Sequence, residues 1–485
     1  MRKHIFLSAL LIIFPAVLGL LAACEQQPTG PSARPETTLP ISTPEPTTPK
    51  PSPGPTTPVL TRTASEQFVS YLSTFVMETS APPPIVPKSL RVSLDNRGIA
   101  YIEKVDEKMQ VIVEDTSGRT QGKKYADIDV DSLTLSPGGN RLAYSASVDK
   151  KEYFVVVDGV EDRQYHLAHA SPVFSPDSKR LAYIAIPAPP AYNTAFVVID
   201  GKAAKKYGHV RSLVFSPDSR QVAYVASTTV NGNKMFAVID GVEGKPYGLV
   251  ADIVFSPDSR RVAYATMSTT TPPMGFAVVD GKEGREYDGV GEIRFSPDGK
   301  RVAYVASINK KPLVVVDGVE GKQYAGLNPP VFSPDSKRVA YTAWSGSDTF
   351  VVVDGIEGKK HYAIVGSPTF SPDSQQVAYI YRTFDGKRAV VVNGSEGKTY
   401  GGIFRVVFSP DSKHIAYPAE TGNEQVVVID GIEGKRYASI GPNSAYQYVI
   451  FDSSNALHYL AIKKDYGMYL VEETVGQSSP QQEGR

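Results

Sequence analysis

The sequence repeats itself, and this repeat limits the possible folds more than any other feature. Its clearest segment is Phe-Ser-Pro-Asp-Ser-x-x-Val-Ala-Tyr, which recurs about every 40 residues, a period typical of solenoids and propellers. Clear copies end at Tyr183, Tyr224, Tyr264, Tyr304, Tyr341, Tyr379 and Tyr417. A weaker copy ends at Tyr144, and degenerate copies lie at 92–101 and 451–459. The chain therefore holds ten units.

Each unit reads as four short strands joined by turns. In the fourth unit, apolar segments lie at 213–215, 222–226, 236–239 and 245–250, with Ser-Pro-Asp-Ser and Asp-Gly turns between them. The middle strands are almost continuously apolar, as expected of strands covered on both faces. Stacking such sheets around an axis buries both faces, which predicts an all-β chain forming a β-propeller of four-stranded blades. One ring of ten blades competes with two smaller rings, and the absence of a linker between repeats favours one ring.

The repeats resemble those of a known group of propellers. The Phe-Ser-Pro-Asp segments at 174–177, 215–218, 255–258 and 295–298 are similar to the WD40-like repeats of TolB-type β-propellers. The propeller domains of dipeptidyl-peptidase-IV-like proteins are also similar. The resemblance covers about residues 88–473 and implies the fold, whereas such propellers host many activities. The Trp-Asp dipeptide of true WD40 repeats and a TolB-type amino-terminal domain are missing, so no Tol partner is implied.

The amino terminus has the pattern of an export signal. Basic residues 1–4 precede an apolar stretch at 5–21 that is too short and wrongly flanked for an ordinary spanning helix. The sequence Leu-Ala-Ala-Cys that ends at Cys24, the one cysteine of the chain, resembles the lipobox of bacterial lipoproteins. The resemblance implies cleavage before Cys24 and a diacylglycerol on its thiol. We therefore expect an extracytoplasmic protein of the cell envelope, lipid-anchored to a bacterial membrane; an ordinary signal peptide is the alternative.

The remaining boundaries follow from composition. Residues 65–78 have apolar side chains at helical spacing and favour a short amphipathic helix, while a closing strand is the alternative because the last unit lacks an outer strand. The predicted segments are a lipoprotein signal peptide at 1–23, a Pro/Thr-rich disordered tether at 24–63, a short helix or closing strand at 64–83, the propeller at 84–473 and a disordered tail at 474–485.

The sequence gives little sign of catalytic or metal chemistry. Equal numbers of basic and acidic residues, 51 each, argue against nucleic-acid binding. The aspartates of the Ser-Pro-Asp and Asp-Gly segments are explained by turn formation. A Gly-x-Ser-x-Gly nucleophile motif is missing, and His166 and His169, placed near the outer strand of unit two, have no third metal ligand. We expect no metal, no cofactor and no catalytic residue.

Variation between repeats indicates where a ligand would bind. The loops between the second and third strands differ in length and content, and the longest lie at 186–194, 227–234 and 268–275. Because exposed aromatic side chains anchor partners, the candidates are residues of these loops and aromatic residues of later units. They are Tyr192, Asn193, Asn231, Met274, Trp344, Tyr381 and Phe384. The alternative is that the aromatic residues cap the blade ends.

The predicted function is binding. The chain would be a membrane-anchored scaffold for a protein, peptide or glycan of the cell envelope. The alternative is a propeller enzyme, a hydrolase or lyase, acting on an extracellular polymer or peptide. A structural spacer is a third possibility.

Overall fold

The structure is a computed structural model of a chain of 485 residues. It describes residues 60–71, 89–93, 98–115, 118–162, 166–167, 172–187, 194–230, 232, 234–441, 449–464 and 467–477. The chain divides into two units, residues 1–57 and 58–485, and all described residues lie in the second.

The second unit is a propeller of ten antiparallel sheets. The first strand of each blade lies nearest to the axis, because first strands of neighbouring blades contact one another. In blades 2, 3, 7 and 10 this inner strand consists of two segments. A 3-10 helix, Val130–Ser132, is the only helix in the part of the chain that the structure describes.

The strands of the first five blades follow in order from the axis outward. Those of blade 1 are Arg91–Val92, Gly98–Val105, Lys108–Asp115 and Gly118–Gln121. Those of blade 2 are Asp127–Ile128 with Thr134–Leu135, then Leu142–Ser147, Tyr153–Val157 and Val160–Asp162. Those of blade 3 are His166–Leu167 with Val173–Phe174, then Leu181–Ile186, Phe196–Ile199 and Lys202–Ala203. Those of blade 4 are His209–Phe215, Val222–Ser227, Met235–Ile239 and Val242–Glu243. Those of blade 5 are Leu249–Phe255, Val262–Met267, Gly275–Val279 and Lys282–Glu283.

The last five blades repeat this order. The strands of blade 6 are Gly289–Phe295, Val302–Ile308, Lys311–Val316 and Val319–Glu320. Those of blade 7 are Gly326–Leu327 with Val331–Phe332, then Val339–Ser345, Asp348–Val353 and Ile356–Glu357. Those of blade 8 are Ala363–Phe370, Val377–Arg382, Arg388–Val392 and Ser395–Glu396. Those of blade 9 are Val407–Phe408, Ile415–Thr421, Glu424–Ile429 and Ile432–Tyr437. Those of blade 10 are Ser439–Ile440 with Ile450–Phe451, then Ala456–Ile462, Gly467–Gln477 and, outermost, Leu60–Tyr71.

The hydrophobic core is divided among the spaces between blades. Between blades 4 and 5, for example, Tyr247 lies in one cluster with Ala223, Tyr264 and Phe276. The Tyr247 and Phe276 rings meet edge to face with their centroids 5.5 Å apart. Fully burying one such side chain stabilises the fold by about 1.5–3 kcal/mol, so each blade depends on its neighbours for its core.

The ring is closed by the strand that comes first in the sequence. Leu60–Tyr71 pairs antiparallel with Gly467–Gln477 and completes blade 10. Blade 10 also packs on blade 1, because Leu460 and Leu470 share a hydrophobic cluster with Leu90. The predicted single ring of ten blades is thus confirmed. For residues 64–83 the sequence favoured a helix, whereas the structure has the closing strand as far as Tyr71, and residues 72–88 lie outside the described residues.

The closing strand also supplies a carboxylate, that of Glu66, at the place where Leu60–Tyr71 joins the rest of the ring, here called the seam. Along the outside of the ring, a lysine and a tyrosine of one blade donate to a glutamate of the next, as Lys205 and Tyr207 do to Glu243 at 2.7 and 2.8 Å. At the seam Glu66 takes this place and accepts hydrogen bonds from Lys435 at 2.8 Å and Tyr437 at 2.7 Å. Blade 10 therefore has the same lysine–tyrosine–glutamate contact as blade 4, although its outer strand comes from the other end of the chain.

The propeller has two different faces. Arg261, beside the Ser-Pro-Asp turn of blade 5, donates to Asp280 of the Asp-Gly turn at 2.8 Å, so both turns lie on one face, here called the turn face. The connections between second and third strands lie on the opposite face, here called the loop face. Because Leu60 pairs with Gln477 at the end of a third strand, the chain enters the propeller on the turn face.

One placement expected from the sequence is wrong. His166 was expected near the outer strand of the second unit, but it lies in the inner strand of blade 3, paired with Ile186. The change arises because the connection from blade 2 to blade 3 begins earlier, after Asp162. His169 lies outside the described residues.

Candidate functional site

The Ser-Pro-Asp aspartates of the turn face are engaged within their own turns. The Ser175 hydroxyl donates to the Asp177 carboxylate at 2.6 Å, and the Lys179 amide donates to it at 3.1 Å. These hydrogen bonds lower the pKa of Asp177, so the carboxylate stays ionised and bound. The same serine-to-aspartate hydrogen bond recurs at Asp218, Asp258, Asp298, Asp335, Asp373 and Asp411. Turn formation accounts for these acids, as predicted.

The same face carries arginines that join neighbouring blades. Arg180 donates to the backbone carbonyls of Ser219 at 2.9 Å and Arg220 at 2.6 Å in the next blade. Its Nε donates to Asp200 at 2.8 Å, and the guanidinium lies 5.3 Å from the ring centre of Phe215. Equivalent bonds to the next blade are made by Arg141, Arg261, Arg301 and Arg338. The charged groups of the turn face therefore hold the ring together.

The Asp-Gly turns use their residues for backbone geometry. Asp240 and Gly241 have φ angles of 50° and 83°, and two successive positive φ angles define the type I′ hairpin turn. Glycine adopts such angles without strain, and aspartate tolerates them. The Asp200 carboxylate additionally accepts a hydrogen bond from the Leu181 amide at 3.0 Å. These acids are therefore part of the scaffold as well.

The predicted candidates on the loop face are spread over several blades. Met274 of blade 5 is half-buried, and its amide donates to the Ser268 hydroxyl at 2.9 Å, which closes the loop. Trp344 of blade 7 is half-buried over Gly326, where an added Cβ would lie 2.1 Å from the indole. The predicted candidates outside the described residues are Tyr192, Asn193 and Asn231.

Blade 8 holds the most exposed aromatic side chain of the described residues. Phe384, in its loop between second and third strands, is 87% exposed. Its ring meets the 53% exposed ring of Tyr362 edge to face at 5.5 Å. The Arg382 guanidinium lies 5.5 Å from the centre of the Tyr362 ring. Tyr362, Arg382 and Phe384 together are called the aromatic patch below.

A second aromatic pair, His361 and Tyr381, lies at the same junction of blades 7 and 8. The ring of buried His361 lies 4.4 Å from that of half-buried Tyr381, and its Nε2 is 3.0 Å from the Tyr379 hydroxyl. The Tyr381 hydroxyl donates to Glu396 at 2.9 Å. Burial lowers the pKa of His361 and favours the neutral imidazole. His361 and Tyr381 are therefore packed within the junction, whereas the rings of Tyr362 and Phe384 are exposed.

The aromatic patch combines exposed ring surface with one cation. Its rings offer apolar surface and its guanidinium offers hydrogen-bond donors, a combination common at binding sites. Among the described residues, no group of three or more His, Cys, Asp and Glu side chains could hold a metal ion. The geometry supports ligand contact through ring faces and one cation.

The comparison with protein families gives a match within the ring. Residues 154–366 match the model of the lipoprotein LpqB beta-propeller domain. This part of the β-propeller is therefore similar to a lipoprotein propeller family. The match runs from the third strand of blade 2 to the inner strand of blade 8 and covers less than half of the chain. The comparison with curated proteins finds no match.

Solved propellers are similar to it only at a distance. The β-propeller domain of the Trilobed protease from Pyrococcus furiosus is 13% identical, with a TM-score of 0.30, and 65% of this chain and 95% of that chain are covered. TolB from Acinetobacter baumannii is 17% identical, with a TM-score of 0.23 and coverages of 70% and 78%. An oligogalacturonate lyase in complex with manganese is 12% identical, with a TM-score of 0.29 and coverages of 68% and 97%. No function is carried over from them.

Sequence reasoning found two of the five residues described at this junction of blades 7 and 8. Tyr381 and Phe384 were candidates, and the structure places both in blade 8. It missed Tyr362, Arg382 and His361, because they meet across the junction of two blades. A signal was present in the sequence, since His361 stands at a position where the other clear repeats have tyrosine.

The described part of the chain contains no helix long and apolar enough to span a bilayer. Cys24 and the apolar segment at 5–21 lie outside the described residues.

Proposed function

We propose that this protein is a membrane-anchored, extracytoplasmic scaffold that binds a protein, peptide or glycan of the cell envelope through the loop face. The observation that carries the proposal is the exposure of Phe384, 87%, beside Tyr362 and Arg382 in the aromatic patch. A large apolar side chain that folding leaves in water is free to be buried by a ligand. Aromatic and arginine side chains are also those that most often dominate binding energy.

The energetics are favourable for a modest but specific contact. Covering the Phe384 ring would contribute about 1.5–3 kcal/mol, which is up to about a hundredfold in affinity. Tyr362 presents its ring beside Phe384, and Arg382 adds a cation above Tyr362.

The anchoring part of the proposal rests on the amino terminus. The lipobox-like sequence before Cys24 is supported by the match to a lipoprotein propeller family. The chain enters the propeller at Leu60 on the turn face, and the aromatic patch lies on the opposite face. The connection to the membrane therefore joins the propeller on the face opposite to the patch. Mass spectrometry of the mature protein should find a diacylglyceryl group on Cys24, and an unmodified thiol would refute the anchor.

Binding is tested with immobilised residues 58–485 exposed to solubilised envelope and to cell-wall glycan fragments. We expect the parent chain to retain a discrete ligand and a Tyr362→Ser, Phe384→Ser variant to lose it. The matched control is Val148→Ser, which removes another exposed apolar side chain, 53% exposed, from the loop face of blade 2. Equal retention by all three proteins would refute the aromatic patch as the binding site.

A further inference from the structure

Aliphatic side chains are exposed at one repeated position of the turn face. The first residue after the Asp-Gly turn begins the outer strand, and in several blades it is an exposed valine or isoleucine. These are Val160, Val242, Val319 and Ile356, which are 71%, 71%, 72% and 74% exposed, and Ile432, which is 41% exposed. In blades 3 and 5 the position holds the exposed lysines Lys202 and Lys282. Because the position is the same in each blade, these side chains lie at one height around the rim of the ring.

Exposed basic side chains accompany the aliphatic ones. A groove of about 470 Å³ between blades 4 and 5 is lined by Val242 and by Arg260 of the next Ser-Pro-Asp turn. Its counterpart between blades 6 and 7, about 420 Å³, is lined by Val319 and Lys337. Bases at the same turn position in other blades are 77–87% exposed: Arg220, Lys300 and Lys413. The turn face thus repeats a pairing of an aliphatic and a basic side chain.

The chain enters the propeller on this same face. Leu60 lies at its turn-face end, opposite Gln477, and residues 1–57 precede it. If Cys24 carries a lipid, the segment that connects it to the propeller joins the propeller on the face with the aliphatic and basic side chains.

We propose that the turn face docks on the surface of the anchoring bilayer, with the rim aliphatics in the interfacial region and the neighbouring bases at anionic phospholipid headgroups. The proposal rests on the proposed anchoring, which keeps the bilayer within reach. Aliphatic insertion combined with basic contacts is how peripheral surfaces bind anionic membranes. Each base also lies near an acid of its own turn, as Lys337 does at 3.6 Å from Asp335, so the charge effect is small. The tether makes weak docking effective by raising the local concentration.

Docking in this orientation has a consequence for the ligand site. The loop face would point away from the membrane and present the aromatic patch to the envelope space. The patch would then be accessible to large partners that cannot reach beneath the ring.

The test uses residues 58–485, a compact unit with its own cores and its own closing strand. The unit is held by an amino-terminal histidine tag on vesicles of phosphatidylcholine and phosphatidylglycerol with a nickel-chelating lipid. Since Cys24 is the only cysteine of the chain, Val319→Cys or Phe384→Cys carries a single fluorophore. A quencher in the bilayer then reports which face lies on the membrane.

We expect the label at 319 to be quenched several-fold more strongly than the label at 384. Changing Val160, Val242 and Ile356 to serine should abolish this difference. Equal quenching at both positions, or stronger quenching at 384, would overturn the proposal, and quenching unchanged without phosphatidylglycerol would overturn its anionic part. The vesicles supply the anchor, so these outcomes are independent of acylation at Cys24 and of ligand binding at the patch.

Discussion

The rings of His361 and Tyr381 lie 4.4 Å apart and tilted by 31° at the junction of blades 7 and 8. Tyr381 lies opposite Ala389 on the neighbouring strand. Blade 8 thus has the aromatic residue on its second strand and alanine on its third. In blades 2, 3, 4 and 7 the two are exchanged: alanine is on the second strand and phenylalanine on the third, as in Ala226 opposite Phe236. Blade 8 therefore fills the same space with an aromatic ring from its second strand instead of its third.

The exchange implies a compensating pair of substitutions. We expect Ala389→Phe alone to destabilise the propeller by about 1–3 kcal/mol, because the new ring overlaps the space of Tyr381. Adding Tyr381→Ala should recover most of this loss, since it recreates the Ala226–Phe236 arrangement of blade 4. Chemical denaturation measures both variants. A double variant no more stable than Ala389→Phe would contradict the compensation.

Acid should destabilise the seam, because it protonates Glu66. Burial opposes its ionisation, but hydrogen bonds from Lys435, Lys463 and Tyr437 outweigh burial and lower the pKa of Glu66 from 4.5 to about 2. A carboxyl with a depressed pKa stabilises the fold above about pH 4.5, and this contribution is lost as the pH falls towards 2. We expect the Glu66→Gln variant to lack this stabilisation at neutral pH. Its closing strand should show faster amide hydrogen exchange.

The control for the seam is Glu243→Gln in blade 4, where Lys205 and Tyr207 make the same contacts. The outer strand of blade 4 is continuous with its neighbours on both sides, so losing one hydrogen-bond acceptor should not release it. The same acceleration within blade 4 as Glu66→Gln causes in blade 10 would show that the seam is no weaker than the rest of the ring.

The arginines of the turn face should contribute to stability in proportion to the bonds they make between blades. Arg301 donates to the Ser336 carbonyl at 3.1 Å and to Asp317 at 2.8 Å. We expect Arg301→Ala to cost about 1–2 kcal/mol, less than a buried ionic bond because the group is partly exposed. Arg301→Gln should cost less, since Gln376 keeps one such bond to the next blade at 2.9 Å. Thermal unfolding compares them, and equal losses would argue against this role.

The repeat predicted the fold because its signals are local. Each blade is specified by a Ser-Pro-Asp turn, an Asp-Gly turn and apolar strands within one stretch of sequence. The closing strand was not decided, because its partners are remote: Arg62 and Glu473, which form an ion pair at the seam, are 411 residues apart. Apolar spacing near Phe68 fits a helix equally well, and only the pairing selects the strand.

The candidate site was predicted in part for a related reason. Phe384 and Tyr381 were noticed because blade packing does not require aromatic residues there. Tyr362 and Arg382 were missed, since their contact joins the end of blade 7 to the second strand of blade 8. Whether a side chain is covered depends on residues remote in sequence, such as Gly326 beneath Trp344, which is why half-buried Trp344 and 87% exposed Phe384 looked alike in the sequence.

The most direct test of the account is photo-crosslinking in intact cells from a benzoyl-phenylalanine placed at position 384. The matched position is 148, on the loop face of blade 2. Binding through the aromatic patch predicts a discrete adduct of higher mass from position 384, absent from position 148 and lost when Tyr362 and Arg382 are replaced by serine. No adduct at 384, or the same adducts from both positions, would contradict binding at this site.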